Sequence, residues 1–154
     1  MLEFHLADAL ATRVLGGHLG RLLPLGTVVL LTGDLGAGKT TLAQGVAQGL
    51  GVDDPVGSPT FTLLAEYPGT RGTLFHADLY RLKGEADVES TGLPEYVDRT
   101  DGLLLVEWPD RWPYWPDQAV RVTIRHDAGG RRLALRGPEM LESLLGQVDD
   151  AARD

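Results

Sequence analysis

The sequence predicts one α/β domain whose mixed sheet is parallel at its centre, antiparallel in its hairpins and flanked by helices. Three observations predict it. Thr27–Thr32 and Gly102–Glu107 are apolar runs of the kind buried on both faces of a parallel sheet. Segments with helical spacing lie on either side of the first run. Strand-like segments further along are paired across short turns rich in Gly, Pro and Asp.

In chain order, Asp8–Leu23 places Leu10, Val14, Leu15, Leu19, Leu22 and Leu23 at helical spacing, with Asp8 as N-cap and Pro24 and Gly26 as the stop. Thr27–Thr32 then runs straight into a glycine-rich turn. Lys39–Leu50 is helical again through Leu42, Val46 and Leu50, with Gly49 and Gly51 marking its end. Phe61–Tyr67 and Thr73–Asp78 flank Pro68–Gly72 as a hairpin, and Gly84–Asp98 holds short helices. After Gly102–Glu107, Ala119–His126 and Arg131–Arg136 form a second hairpin across Asp127–Gly130. Gly137-Pro138 opens a last helix with Met140, Leu141, Leu144 and Leu145 on its apolar side. The domain is expected to span residues 1–148, with the acidic residues 149–154 frayed.

Composition narrows the function. At 154 residues, 43% hydrophobic and 23% charged, the chain has the size and balance of one globular domain. It has no cysteine, so disulfides, thiolate zinc sites and cysteine nucleophiles are excluded. No apolar run approaches the roughly 20 residues of a membrane span, and the N-terminus lacks the pattern of a signal peptide. A cytoplasmic protein is expected. The net charge of −8 argues against autonomous binding to RNA or DNA, which rests mostly on Lys and Arg contacts to phosphate.

The glycine-rich turn carries the chemistry. Gly33, Asp34, Leu35, Gly36, Ala37, Gly38, Lys39 and Thr40 match G-x-x-x-x-G-K-[ST] in full, followed by Thr41, and they stand between a buried strand and an amphipathic helix. The glycines let successive backbone N–H groups point at phosphate oxygens at a helix N-terminus. Lys39 is a mobile positive charge for the β- and γ-phosphates, and the Thr40 hydroxyl is a hard oxygen ligand for Mg²⁺. The fold class is therefore a P-loop NTPase domain, with ATP and Mg²⁺ as expected cofactors. No [NT]-K-x-D motif for guanine occurs, since the only lysines are Lys39 and Lys83.

A P-loop needs a carboxylate delivered by a neighbouring strand. Glu107 ends Leu103-Leu104-Leu105-Val106, where it can bind Mg²⁺ directly or through water, or orient the attacking water. Asp78 ends its own strand and either joins Glu107 at the metal or caps the segment that follows. Ser58 and Thr60 stand where a γ-phosphate-sensing loop is expected, although turn chemistry around Pro59 explains them as well. His76, alternating with apolar neighbours, reads as a core or supporting histidine. The tryptophan-rich stretch Trp108–Pro116 covers the sheet end or offers a docking surface; Trp108 is singled out because it adjoins Glu107.

Taken together, GDLGAGKTTL at 33–42, SPTFTLLAEY at 58–67, HADLYRL at 76–82, VEWPDR at 106–111 and RRLALRG at 131–137 resemble the TsaE (YjeE) family of bacterial P-loop ATPases. The resemblance implies Mg²⁺-dependent ATP hydrolysis coupled to the TsaB–TsaD protein pair during threonylcarbamoyladenosine formation in tRNA. It implies that residues 36–41 hold the phosphates, that Thr40 and Glu107 hold the metal and that Asp78 serves catalysis or switching; Lys39, Asp78 and Glu107 are the catalytic candidates, and Asp78 stays a candidate for the metal as well. Ser58, Thr60 and Trp108 would serve catalysis or switching. Leu6, Asp8 and Leu10 would approach the adenine, and Arg131 is a further nucleotide-binding candidate. Two alternatives stand beside this reading: a small-molecule kinase, for which Arg81, Arg99 and Arg111 are the available lid arginines, and an ATP-gated binding module with slow hydrolysis.

Overall fold

Val28–Gly33 forms strand β2 at the middle of a seven-stranded sheet, paired in parallel with β5 (Gly102–Glu107) on one side and β6 (Val120–Asp127) on the other. Both apolar runs thus occupy interior positions, where a strand meets neighbours on each edge and side chains on each face. Beyond β5 lie β4 (Thr73–Asp78), parallel to it, and β3 (Leu64–Tyr67), antiparallel. Beyond β6 lie β7 (Gly130–Arg136) and then β1 (Leu2–Leu6), each antiparallel to its neighbour. The computed structural model describes residues 1–34, 36–57, 63–146 and 148.

The sheet separates two apolar layers. On one face, α1 (Ala9–Leu22), α2 (Lys39–Gly49) and α4 (Met140–Leu145) pack over residues that include Val29, Leu31, Val122 and Leu133. On the other, α3 (Glu85–Ser90), the 3-10 turn Leu93–Asp98 and the buried Trp112 and Trp115 cover Val28, Leu30, Phe75 and Leu104. Those two tryptophans therefore cover the sheet, one of the two roles read for that stretch. Among the described residues no helix is long and apolar enough to cross a membrane.

Two features depart from the sequence expectation. β1 was not foreseen, although Leu2, Phe4 and Leu6 alternate with Glu3 and His5; only pairing with β7, far along the chain, makes five residues a stable strand. In α1, Asp8 caps the helix as expected by accepting from the Ala11 N–H at 2.8 Å. Leu10 and Val14, expected on its apolar face, are instead exposed at 63% and 45%. The buried face is made of Gly16, Gly17 and Gly20 together with Leu15 and Leu19. A Cβ on Gly16 would stand 2.9 Å from the Gly45 Cα, and one on Gly20 would meet the carbonyl of Val46 and the Cα of Gly49. The two helices touch backbone to backbone along this glycine seam. In α4, likewise, Leu141 and Leu145 are buried while Met140 is half exposed.

The parallel pairing sets up the functional end. β4, β5 and β2 are adjacent, and their register places Asp78 opposite Glu107 and Glu107 opposite Leu31. Three strand ends and the glycine-rich loop after Gly33 therefore open on the same edge, where α/β sheets present their ligands.

Candidate functional site

The loop leaves β2 at Gly33 and turns through Gly36 and Gly38, whose φ values of 77° and 109° suit glycine alone. A Cβ at Gly33 would stand 2.7 Å from both the backbone oxygen and a side-chain methyl of Ile124, so the loop lies against β6. Gly38 is the N-cap of α2 and contributes no side-chain cap, which leaves the first N–H groups of the helix aimed outward beside the positive end of its dipole.

Arg131 ties the loop from behind. Its Nε–H donates to the Ala37 carbonyl at 3.0 Å and an Nη2–H to the Gly36 carbonyl at 3.2 Å. With these carbonyls held on one side and the Ala37 N–H donating to the Asp34 carbonyl at 3.0 Å, the loop backbone is fixed in place. Arg131 thus stands as a brace on the loop backbone.

Lys39, the first residue of α2, is buried at 8% exposure, with its Nζ 3.7 Å from Glu107 Oε1 and 5.1 Å from the centre of the Trp108 ring. Glu107 is itself 4% exposed, and its other oxygen, Oε2, accepts from His76 Nε2 at 2.8 Å. The buried carboxylate is paired on both oxygens, which is what keeps a charge tolerable away from water. Asp78, beside it in register, accepts from the Tyr80 N–H at 3.0 Å. Burial pushes its carboxyl above the ordinary 3.8, the charge on Glu107 adding to the rise, while the Tyr80 N–H and then Lys39 oppose it.

Trp108 has φ 57°, the one non-glycine residue at positive φ among those described, a conformation that large side chains adopt only where the surroundings enforce it. It is held between the charges of Lys39 and Arg111, the latter 5.4 Å from its ring, and it packs at 5.1 Å against Tyr80. Loop, carboxylates and aromatics enclose a groove of about 360 Å³ lined by Gly36, Gly38, Lys39, Thr40, Thr41, Asp78, Tyr80, Glu107 and Trp108.

Of the sequence candidates, Gly36, Gly38, Lys39, Thr40, Thr41, Asp78, Glu107 and Trp108 are thus brought together, whereas Gly33 and Asp34 line a neighbouring groove and Ala37 is buried. Leu35, Ser58 and Thr60 lie outside the described residues. Leu6 is sealed in the core, Asp8 serves as the cap of α1, and Leu10 is exposed on that helix's first turn. Sequence reasoning missed Tyr80 as part of the wall, because its position depends on the turn that follows Asp78. It also gave Arg111 no role beside Trp108.

A metal ion fits what is present. Asp78 and Glu107 are neighbouring carboxylates whose mutual repulsion a cation relieves, and the Thr40 hydroxyl lines the same groove, a set of hard oxygen donors.

The relatives agree with this architecture. The sequence model for "Threonylcarbamoyl adenosine biosynthesis protein TsaE" matches residues 6–133. The tRNA threonylcarbamoyladenosine biosynthesis protein TsaE of Nostoc sp. is 44% identical over 137 residues, which cover 87% of this chain and 84% of that protein. The protein of the same description from Synechocystis sp. is 47% identical over 120 residues, 76% of each chain. The crystal structure of Bacillus subtilis YdiB superposes with a TM-score of 0.76 at 28% identity, covering 95% of this chain and 92% of the other. By sequence and by fold, this chain belongs to the TsaE family of threonylcarbamoyl adenosine biosynthesis proteins.

Proposed function

We propose that this chain is a Mg²⁺-dependent ATPase that supports formation of the threonylcarbamoyl group on adenosine of tRNA by acting on the TsaB–TsaD protein pair. The observation that carries the reading is the convergence of Lys39, Thr40, Asp78, Glu107 and Trp108 on one groove at the open N-terminus of α2. Family membership supplies the pathway, and the relatives named for threonylcarbamoyladenosine biosynthesis supply the tRNA modification.

In this reading the N–H groups at the start of α2 receive the phosphate oxygens, and Lys39 exchanges its pairing with Glu107 for the β- and γ-phosphates. Water attacks the γ-phosphorus, the bond to the β,γ-bridging oxygen breaks, and ADP leaves with that oxygen. Asp78, in register beside Glu107, takes the proton from the attacking water. Glu107, held by His76, orients that water and the oxygen donors around it. Thr40 and Glu107, with Asp78 beside them, would hold Mg²⁺, which would supply charge neutralisation on the phosphate oxygens.

The test is ATP hydrolysis by the chain alone and with the TsaB–TsaD pair, using Lys39→Ala and Glu107→Ala as controls. Stimulation by the pair that is lost in both variants is expected. A pair that changes nothing removes the coupling, and a Lys39→Ala variant that binds ATP as tightly as the parent removes the phosphate site.

A further inference from the structure

The second face of the sheet is covered only in part. Over β4, β5 and the first half of β2 it meets α3 and the tryptophans, whereas over β6, β7 and β1 no element lies against it among the described residues. Strand alternation sends Val122, Ile124, Leu133 and Leu135 into the helical layer, and so sends Arg121, Arg125, Arg132 and Arg136 to the open side, all four exposed. The register then places like charges opposite one another, Arg121 against Arg136 and Arg125 against Arg132.

Directly opposed like charges destabilise a strand pair. Only one of these four is compensated by ion pairs: Arg132 lies 3.1 Å from Asp127 and 3.5 Å from Glu3. Arg121 and Arg125 have no ion pair among the described residues, and Arg136 directs its Nε–H at the sulfur of Met1. In a chain of net charge −8, this uncovered sheet face gathers a local excess of guanidinium in opposed pairs that the fold itself does not require.

We infer that this face is the docking surface for an acidic protein, whose carboxylates seat between the opposed arginines. The inference rests on the proposed coupling to a protein pair and names the surface that makes it. The arginines border a groove of about 520 Å³ whose lining also includes Glu3, Leu30 and Ala134 and has no aromatic ring. An interleaved acid and an aliphatic floor match a protein surface of mixed charge, and the planar guanidinium fork pairs a carboxylate through two hydrogen bonds. A nucleic acid finds no aromatic stacking platform in this lining. The location also explains how docking is felt at the nucleotide. Thr32, Thr123 and Arg125 line both this groove and a second one, of about 330 Å³, that reaches Lys39 and Trp108.

The experiment measures binding of the full chain, with Mg²⁺ and ATP, to the purified TsaB–TsaD pair and separately to an unmodified tRNA transcript, at low and moderate salt. The double variant Arg121→Glu/Arg136→Glu is compared with Arg121→Gln/Arg136→Gln, which relieves the like-charge pair and so keeps the fold intact. Binding to the pair is expected to weaken with salt and to fall at least tenfold in the Glu variant and by less in the Gln variant, with ATP affinity unchanged in both. Parent-like affinity for the pair in the Glu variant overturns the inference while leaving the proposed coupling in place. Loss of tRNA binding with pair binding intact overturns it in favour of a nucleic-acid face. A parent that neither binds the pair nor is stimulated by it overturns both readings together.

Discussion

His76 Nε2 lies 2.8 Å from Glu107 Oε2, and the two side chains are 0% and 5% exposed. This is a positioning contact: the imidazole fixes one carboxylate oxygen so that the other faces Lys39 at 3.7 Å. His76→Ala is expected to cost about 2 kcal/mol in urea unfolding, the range for a hydrogen bond to a charged group. It should lower the single-turnover rate of ATP hydrolysis more than it lowers ATP affinity, with His76→Gln recovering part of the rate. Equal losses in rate and affinity would show that His76 only maintains the fold.

The glycine seam between α1 and α2 makes a sharper stability prediction. A methyl at Gly20 or Gly49 is driven into the backbone of the facing helix, so each Ala variant is expected to lose about 1–3 kcal/mol in denaturant unfolding, the cost of overpacking. Gly57→Ala, which meets nothing within 4 Å, should fall within about 0.5 kcal/mol of the parent.

Arg131→Met is expected to raise the dissociation constant for ATP about tenfold, since the loop carbonyls lose their charged donors, each worth about 1.5–3 kcal/mol. Arg131→Lys should not restore it, because an ammonium cannot span the carbonyls of Gly36 and Ala37 as the two arms of the guanidinium do. Titration of both variants with a fluorescent ATP analogue checks this.

Asp78 gives a dependence on pH. Burial raises its carboxyl above 3.8, so the native chain holds this proton more tightly than the unfolded chain. The associated stability is complete below the ordinary value and is lost as pH rises through the raised one. Asp78→Asn, which cannot ionise, should therefore gain stability relative to the parent between about pH 4 and about pH 7 in metal-free buffer. Urea midpoints at the two ends of that range measure the difference.

Trp108 serves as a reporter. Trp112 and Trp115 are buried away from the groove, whereas Trp108 sits over Lys39. ATP binding should shift the intrinsic fluorescence of the parent and of Trp112→Phe, and should leave Trp108→Phe unchanged.

The loop and its carboxylates were legible in the sequence because each belongs to a local pattern: a fixed glycine spacing for residues 33–40, and an apolar run ending in a charge for Glu107. Which strands lie side by side is not a local property. Only the register of β4 against β5 shows Asp78 beside Glu107, and only the close approach of α1 to α2 shows why Gly16, Gly20 and Gly45 occupy helix interiors and why glycine ends α2 at Gly49. Leu10 and Val14 misled for the same reason, since periodicity marks a helix without saying which of its faces finds a partner.

The pairing of β1 with β7 carries a consequence for assembly of the chain. Leu2 registers with Leu135 and Leu6 with Arg131, so β1 must wait for a partner that is synthesised much later. Closing so long a loop is entropically expensive, and contacts of this span slow folding. Phe4 and Leu6 stay exposed in the growing chain until the β6–β7 hairpin forms. Sealing that edge is therefore the late step of folding, and the time spent before it is the interval in which the nascent chain most needs shielding from aggregation.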